Sequence, residues 1–117
     1  MKENIIQKKS YAFALNIINL YKVLTTEKKE FVLSKQLLRS GTSIGANVEE
    51  AIAASSKADF INKINISTKE NRETNYWLRL LKDSGYIKDE QFNKLHSECL
   101  EMQKIFSSIL LSSKTNS

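Results

Sequence analysis

Residues 56–85 read SKADFINKINISTKENRETNYWLRLLKDSG, and this stretch decides the fold. Phe60, Ile64, Ser67, Asn71, Thr74, Leu78 and Leu81 alternate spacings of four and three without a slip, which is the repeat of one helix face and not of a strand. Ser56 followed by Asp59 resembles a capping box, with the shorter acid replacing the usual Glu or Gln, and sets the helix start at about Lys57. Gly85 stops the helix after Asp83. The stripe is apolar at its ends and polar in its middle, so Ser67, Asn71 and Thr74 need partners on neighbouring elements.

The rest of the chain follows the same rule. Three Gly and no Pro in 117 residues leave few helix breakers, and apolar residues recur at three and four. A first helix is predicted from about Glu3 to Leu24, with Phe13, Ile17, Leu20, Tyr21 and Leu24 on one stripe. Between Ala12 and Leu24 only Asn16, Asn19 and Lys22 are polar. That apolar surface is wider than one core contact requires and implies a partner. Thr26 is placed to cap a second helix, with Glu27 at the positive end of its dipole. This helix reaches about Ala54 with a stripe of Phe31, Leu38, Gly41, Gly45, Val48 and Ile52. Gly41 either lies inside it or ends it in a left-handed cap, with Ser43 starting another; unbroken spacing through both glycines favours the continuous helix. Gly41 and Gly45 then sit one turn apart and admit another backbone closely. A last helix is predicted from about Asp89 to Ser112, with Ile87 and Phe92 as a hydrophobic staple and Phe92, Leu95, Cys99, Met102, Phe106 and Ile109 facing inward. Short connections between long helices make antiparallel neighbours. The expected architecture is all-α, an up-down-up-down four-helix bundle forming a single domain over residues 1–117.

At this size about 65% of the unfolded chain's surface is buried on folding, enough for one modest core and no second substrate domain. The composition, 41% apolar and 26% charged, excludes disordered, collagen-like and disulfide-scaffold classes. Cys99 is the single cysteine, and Gln7, Lys8 and Lys9 interrupt the apolar character of the first 24 residues, so a reduced, cytoplasmic protein is expected. No run approaches the roughly 18 consecutive apolar residues of a membrane span.

Net charge is +5, and the excess lies before Ser40: eight basic residues up to Arg39 face three acidic ones, Glu3, Glu27 and Glu30. From Ser40 onward the charges cancel, although Lys57 to Lys82 is locally +3. A basic segment attracts phosphate backbones, while lysines scattered on solvated helix faces are the plainer reading of the same pattern. Lys8, Lys9, Lys28, Lys29 and Lys35 are the candidates for phosphate contacts.

Chemistry-bearing motifs are scarce. A di-iron bundle needs Glu-x-x-His pairs on two helices. The lone His96 is preceded at three positions by Asn93, so it reads as a partly exposed non-ligand. Glu70 and Glu73 share a face but lack a histidine, Cys99 on the inward stripe reads as an inert buried thiol, and neither a phosphate loop nor a zinc spacing occurs. No catalytic residue, metal or cofactor is expected. One constellation is more specific. Arg39, Ser43, Asn47 and Glu50 fall on one face of the second helix, and Glu70, Glu73 and Trp77 on a face of the third. If these faces meet, Arg39 pairs with Glu70 or Glu73 and Asn47 bonds across the core, a network that fixes register more than it adds stability. Trp77, among Leu78, Leu80 and Leu81, reads as a core or subunit anchor before a nucleobase platform.

The run from Gln36 to Ala51, QLLRSGTSIGANVEEA, resembles the signature of the small bacterial 23S rRNA-intervening-sequence proteins, also called S23 ribosomal proteins. Ser56-Lys57-Ala58-Asp59-Phe60, Lys69-Glu70, Glu73-Thr74, Tyr76-Trp77-Leu78 and Gly85-Tyr86-Ile87 resemble that family's third helix and turn, and the likeness covers roughly residues 8 to 112. Departures are Ile66-Ser67-Thr68, where an Ile-Ala pair is commoner, and Asn71-Arg72. The resemblance implies an antiparallel four-helix bundle assembling as a ring-like homopentamer. The family name records reading frames inside insertions in some 23S rRNA genes, a genomic location and not an activity. A related branch resembles the accessory variability determinant of diversity-generating retroelements, a basic pentamer that binds nucleic acid and a reverse transcriptase.

The expected function is therefore a non-enzymatic, homo-oligomeric binding or scaffolding module, with RNA or a nucleic-acid-associated protein as partner. A five-fold ring would raise the charge to about +25. The alternative is a purely structural protein-interaction module whose charge only keeps the assembly soluble.

Overall fold

The computed structural model describes residues 4–115 as four helices: α1, Ile5–Thr26; α2, Leu33–Ile52; α3, Lys57–Asp83; and α4, Asp89–Thr115. Glu3, the expected start of the first helix, and its neighbour Lys2 lie outside the described residues. The helices form a rod of 48 × 24 × 21 Å. Each packs on its neighbour in the chain, and α1 meets α4 along the loosest seam of the four-helix bundle.

Most of the boundaries have local causes. Asn4 caps α1 by accepting from the Gln7 amide at 3.0 Å. Ser56 caps α3 through the Asp59 amide at 3.1 Å. At the other end of α3, Tyr86 N donates to Leu81 O at 2.8 Å and Gly85 N to Lys82 O at 3.0 Å, the paired bonds of a Schellman motif. That motif needs a left-handed residue, and Gly85 provides it at φ 87°. Ile87 and Phe92, flanking the start of α4, are both buried in the core.

The start of α2 departs from the sequence reading. Thr26 does not cap it; α1 runs through Thr26, whose hydroxyl donates back to Lys22 O at 2.6 Å. The cap is Glu30 instead. Its carboxylate accepts from the amides of Val32 at 3.1 Å, Leu33 at 2.9 Å and Ser34 at 2.7 Å, while the Ser34 hydroxyl returns a bond to Glu30 O at 2.7 Å. One side chain thus satisfies three of the first free amides of the helix. The connection is longer than expected, and Lys29 turns it in the left-handed region at φ 56°.

The core is drawn from all four helices: Phe13, Ile17 and Leu24; Leu37, Ile44 and Val48; Ile64, Leu78 and Leu81; Met102 and Phe106. Each such side chain contributes about 1.5–3 kcal/mol on burial. α2 is continuous through Gly41 and Gly45 and ends at Ile52. Its buried face is rotated from the expected stripe. Phe31 and Ile52 are exposed, while Ser34, Leu37, Ser40, Gly41, Ile44, Val48 and Ala51 are buried. On that face Gly41 and Gly45 approach α1 closely: a Cβ at Gly41 would lie 2.9 Å from Ile17 and one at Gly45 3.3 Å from Ser10. Among the described residues no helix is long and apolar enough to cross a membrane.

Candidate functional site

The seam between α2 and α3 brings together the two polar faces. Arg39 Nη1 donates to Glu70 Oε1 and Oε2 at 3.3 and 3.2 Å, Nη2 donates to Glu73 Oε2, and Trp77 Nε1 donates to that same oxygen at 3.0 Å. The Trp77 bond is the main cause holding the Glu73 carboxyl below its ordinary range; partial burial opposes it, and Arg39 reinforces it. Arg39 is raised in turn, chiefly by its bond to Glu73. Trp77 is half-buried against the core.

The other members of the constellation stay on α2. Ser43 Oγ donates to Arg39 O at 2.6 Å, and Glu50 is exposed. Asn47 does not reach across the core; its Nδ2 donates to Ser43 O at 2.9 Å, within its own helix. The short amide finds a carbonyl one turn back before it can span the interhelical gap. The arrangement can fix the register of α2 against α3, but Arg39 is about half exposed, which screens its ion pairs. In a double-mutant cycle of Arg39→Ala and Glu73→Ala read by urea denaturation, the coupling is expected at or below about 1 kcal/mol. It should shrink further in 0.5 M salt.

The polar middle of α3 finds its partners on both sides. Ser67 Oγ donates to Ile44 O of α2 at 2.9 Å, the Thr74 and Ser40 hydroxyls bond at 2.9 Å, and Asn71 Nδ2 donates to Cys99 O of α4 at 2.9 Å. Asn71 Oδ1 is buried with no partner among the described residues. Asn71 lies beside a hollow of about 240 Å³ between α3 and α4, lined also by Arg72, Asn75, Cys99, Leu100 and Gln103.

Burial, with a lesser push from the Glu98 charge, raises the Cys99 thiol to about 12, so it stays protonated at neutral pH. His96 Nδ1 lies 2.7 Å from Asn75 Oδ1, and its ring stacks on Phe92 at 5.1 Å. Among the described residues no three His, Cys, Asp or Glu side chains gather as a metal site requires.

The fold separates the candidate phosphate contacts. Lys8 and Lys9 lie near the start of α1, whereas Lys28 and Lys29 lie in the turn after it and Lys35 opens α2. At 1.5 Å per residue the two groups are about 30 Å apart, at opposite ends of the rod. Lys9 also pairs with Glu101 at 2.9 Å, across the α1–α4 seam. A different basic surface, missed in the sequence reading, runs along the outward side of α3. Lys69, Arg72 and Arg79 are exposed there at helical spacing around Tyr76, and none has an ion pair among the described residues. Its signal was the local excess of +3 between Lys57 and Lys82.

The wide apolar surface of α1 is partly consumed by packing. Ile17 and Leu20 are in the core, whereas Tyr11 and Leu15 remain 66% and 48% exposed.

Known proteins bear on what this bundle is. No functionally curated protein matches the chain. A crystal structure of a protein of unknown function from Bacteroides thetaiotaomicron, of the S23 ribosomal protein family, is 54% identical. The match covers 90% of this chain and 97% of that one, with a TM-score of 0.89. The family model for 23S rRNA-intervening sequence proteins matches residues 2–108. A four-helix bundle whose α3 carries a polar middle, together with a family match over nearly the whole chain, makes this protein a member of the 23S rRNA-intervening sequence protein family.

Proposed function

We propose that the protein is a non-enzymatic, homo-oligomeric binding module of the cytoplasm, and that its ligand is RNA. The observation that carries this reading is the state of its cations: Lys28, Lys29, Lys35, Lys69, Arg72 and Arg79 are exposed without an ion pair among the described residues, on a chain of net charge +5. Unpaired cations on a rigid rod favour a polyanion, because binding releases the counterions condensed on it. Repetition of the rod in an oligomer multiplies the field. Tyr11 and Leu15 on α1 support self-association, since they leave apolar area in water that a second copy would cover.

Gel-shift titration with 23S rRNA fragments tests the ligand. Affinity is expected to fall steeply between 50 and 200 mM salt, in proportion to the phosphates contacted. Absence of binding at the lower salt would remove RNA as the ligand. Light scattering on the same preparation should give a multiple of the 13.4 kDa subunit.

A further inference from the structure

We infer that the outward face of α3 is a track for single-stranded nucleic acid, with Tyr76 as a stacking platform for a base and Lys69, Arg72 and Arg79 as its phosphate contacts. This rests on the RNA-binding reading above and names its surface. The four residues are spaced at three, four and three, so they share one helix face and span about 15 Å, the reach of a few nucleotides.

The face is cationic because of how α3 is packed. Its two central carboxylates, Glu70 and Glu73, turn toward α2 and are occupied by Arg39, with Glu73 also accepting from Trp77. The outward side is left with three cations; the exposed residues that continue the face toward the start of α3, Asn62 and Asn65, are uncharged, and its one carboxylate, Asp83, lies at the far end of the helix, four residues past Arg79. Across the seam with α4 the hollow beside Arg72 is lined by amides, Cys99 and Leu100, with no carboxylate to repel a phosphate.

Tyr76 distinguishes a single strand from a duplex. It is 46% exposed in the middle of a helix face that is otherwise polar. Its ring is held edge-on by Trp77, at 5.1 Å between centroids and 65° between planes, and the Arg79 guanidinium lies 5.7 Å from its centroid. A ring restrained in this way loses little freedom when a base stacks on it, and the adjacent guanidinium adds a cation–π contribution and a phosphate partner. Paired bases of a duplex present no free face to such a ring. Stacking on an aromatic side chain is worth about 1–3 kcal/mol per base, so one platform is expected to change affinity by about tenfold or more.

The test uses the full chain and a fluorescein-labelled 12-nucleotide oligouridylate, read by anisotropy at 50 and 150 mM salt, with a labelled RNA duplex in parallel. Tyr76→Ala is expected to weaken single-strand binding about tenfold and leave duplex binding unchanged, while Tyr76→Phe binds as the parent does. Arg72→Ala with Arg79→Ala should lower the magnitude of the single-strand salt slope by about 1.4, two contacts at roughly 0.7 each. Lys28→Ala with Lys29→Ala, at the far turn, should weaken single-strand binding less than the double arginine variant does, since it removes only long-range attraction. Parent protein that binds the oligomer while Tyr76→Ala and the double arginine variant bind it equally well would overturn the α3 track and leave the RNA-binding reading standing. Loss confined to the Lys28 and Lys29 variant would place the site at the turn and also overturn it. Parent protein that binds neither RNA would remove both readings.

Discussion

Replacing Glu30 by alanine is expected to cost about 2–4 kcal/mol, read as a fall in the urea midpoint at fixed protein concentration. The carboxylate is 8% exposed and serves three amides of the first turn of α2, where an ordinary cap serves one or two. Removal leaves the Ser34 amide buried without an acceptor, at a cost of about 1–3 kcal/mol, and the partly buried amides of Val32 and Leu33 to be met by water at a smaller cost. Glu30→Gln keeps one acceptor oxygen and should recover less than half of the loss. Helix content by circular dichroism should fall only slightly, because the core positions of α2 from Leu37 onward are untouched.

The same contacts set an acid limit. Burial on its own would raise the Glu30 carboxyl, and the bonds from Leu33, Ser34 and Val32 outweigh it, holding the group below its usual range. A carboxyl lowered in the folded state contributes fully above its unfolded value, about 4.3, and loses that contribution as pH falls through the folded value. The Ala variant should therefore show a flatter decline of stability below pH 4 than the parent. Glu73 acts in the same direction, with a smaller effect because its side chain is 38% exposed.

The contrast between α2 and α3 shows what the chain makes legible. α3 is bounded by Ser56 and Gly85, residues whose local chemistry admits few other uses, and its polar stripe keeps a strict repeat; its limits and its buried face followed directly. α2 begins at a carboxylate placed ahead of the helix, and Thr26 carried an equally plausible hydroxyl that α1 absorbed. Hydrophobicity also misdirects the eye on this helix. Phe31 and Ile52 look like core residues, but they are exposed, and α2 meets Ile17 and Ser10 of α1 at Gly41 and Gly45, where closeness matters more than side-chain volume. Helical spacing grouped Arg39 on one face and Glu70 and Glu73 on another, and left open whether the two faces meet; the α2–α3 seam brings them together. Asn47 was not legible in this way, since a bond within a helix and a bond between helices use the same amide. Grouping lysines by their place in the chain merged Lys8 with Lys28, which a single straight helix then carried to opposite ends of the rod. Facing, and not proximity in sequence, decides which charges act together.

Gly41 is where that close approach is set, and enlarging it is expected to have the other large effect. An alanine Cβ at Gly41 would lie 2.9 Å from both Ile17 Cγ1 and Cγ2 and 3.3 Å from Ile17 Cβ. Ile17 is fully buried and β-branched, so it has neither free volume nor an easy rotamer in which to retreat. Overpacking of this kind costs about 1–3 kcal/mol, against a gain of about 1 kcal/mol from alanine's helix propensity. Gly41→Ala should lose about 1–2 kcal/mol net, and Gly41→Val, with two more carbons and no propensity gain to match, more than 3 kcal/mol. The other two glycines separate the causes. Gly45→Ala meets Ser10 first, at 3.3 Å to Oγ and 3.4 Å to backbone, so propensity and crowding should nearly cancel. Gly85→Ala meets nothing within 4 Å but must hold φ 87°, a purely conformational cost of about 1–2 kcal/mol. In an Ile17→Ala background, itself down by about 2–5 kcal/mol, Gly41→Ala should become neutral or stabilising. That reversal of sign is the decisive reading, because it occurs only if the Gly41 cost is contact with Ile17. If Gly41→Ala is equally harmful with and without Ile17, the two helices are not held at this distance by the missing side chain, and the approach of α1 to α2 must be governed elsewhere along the seam.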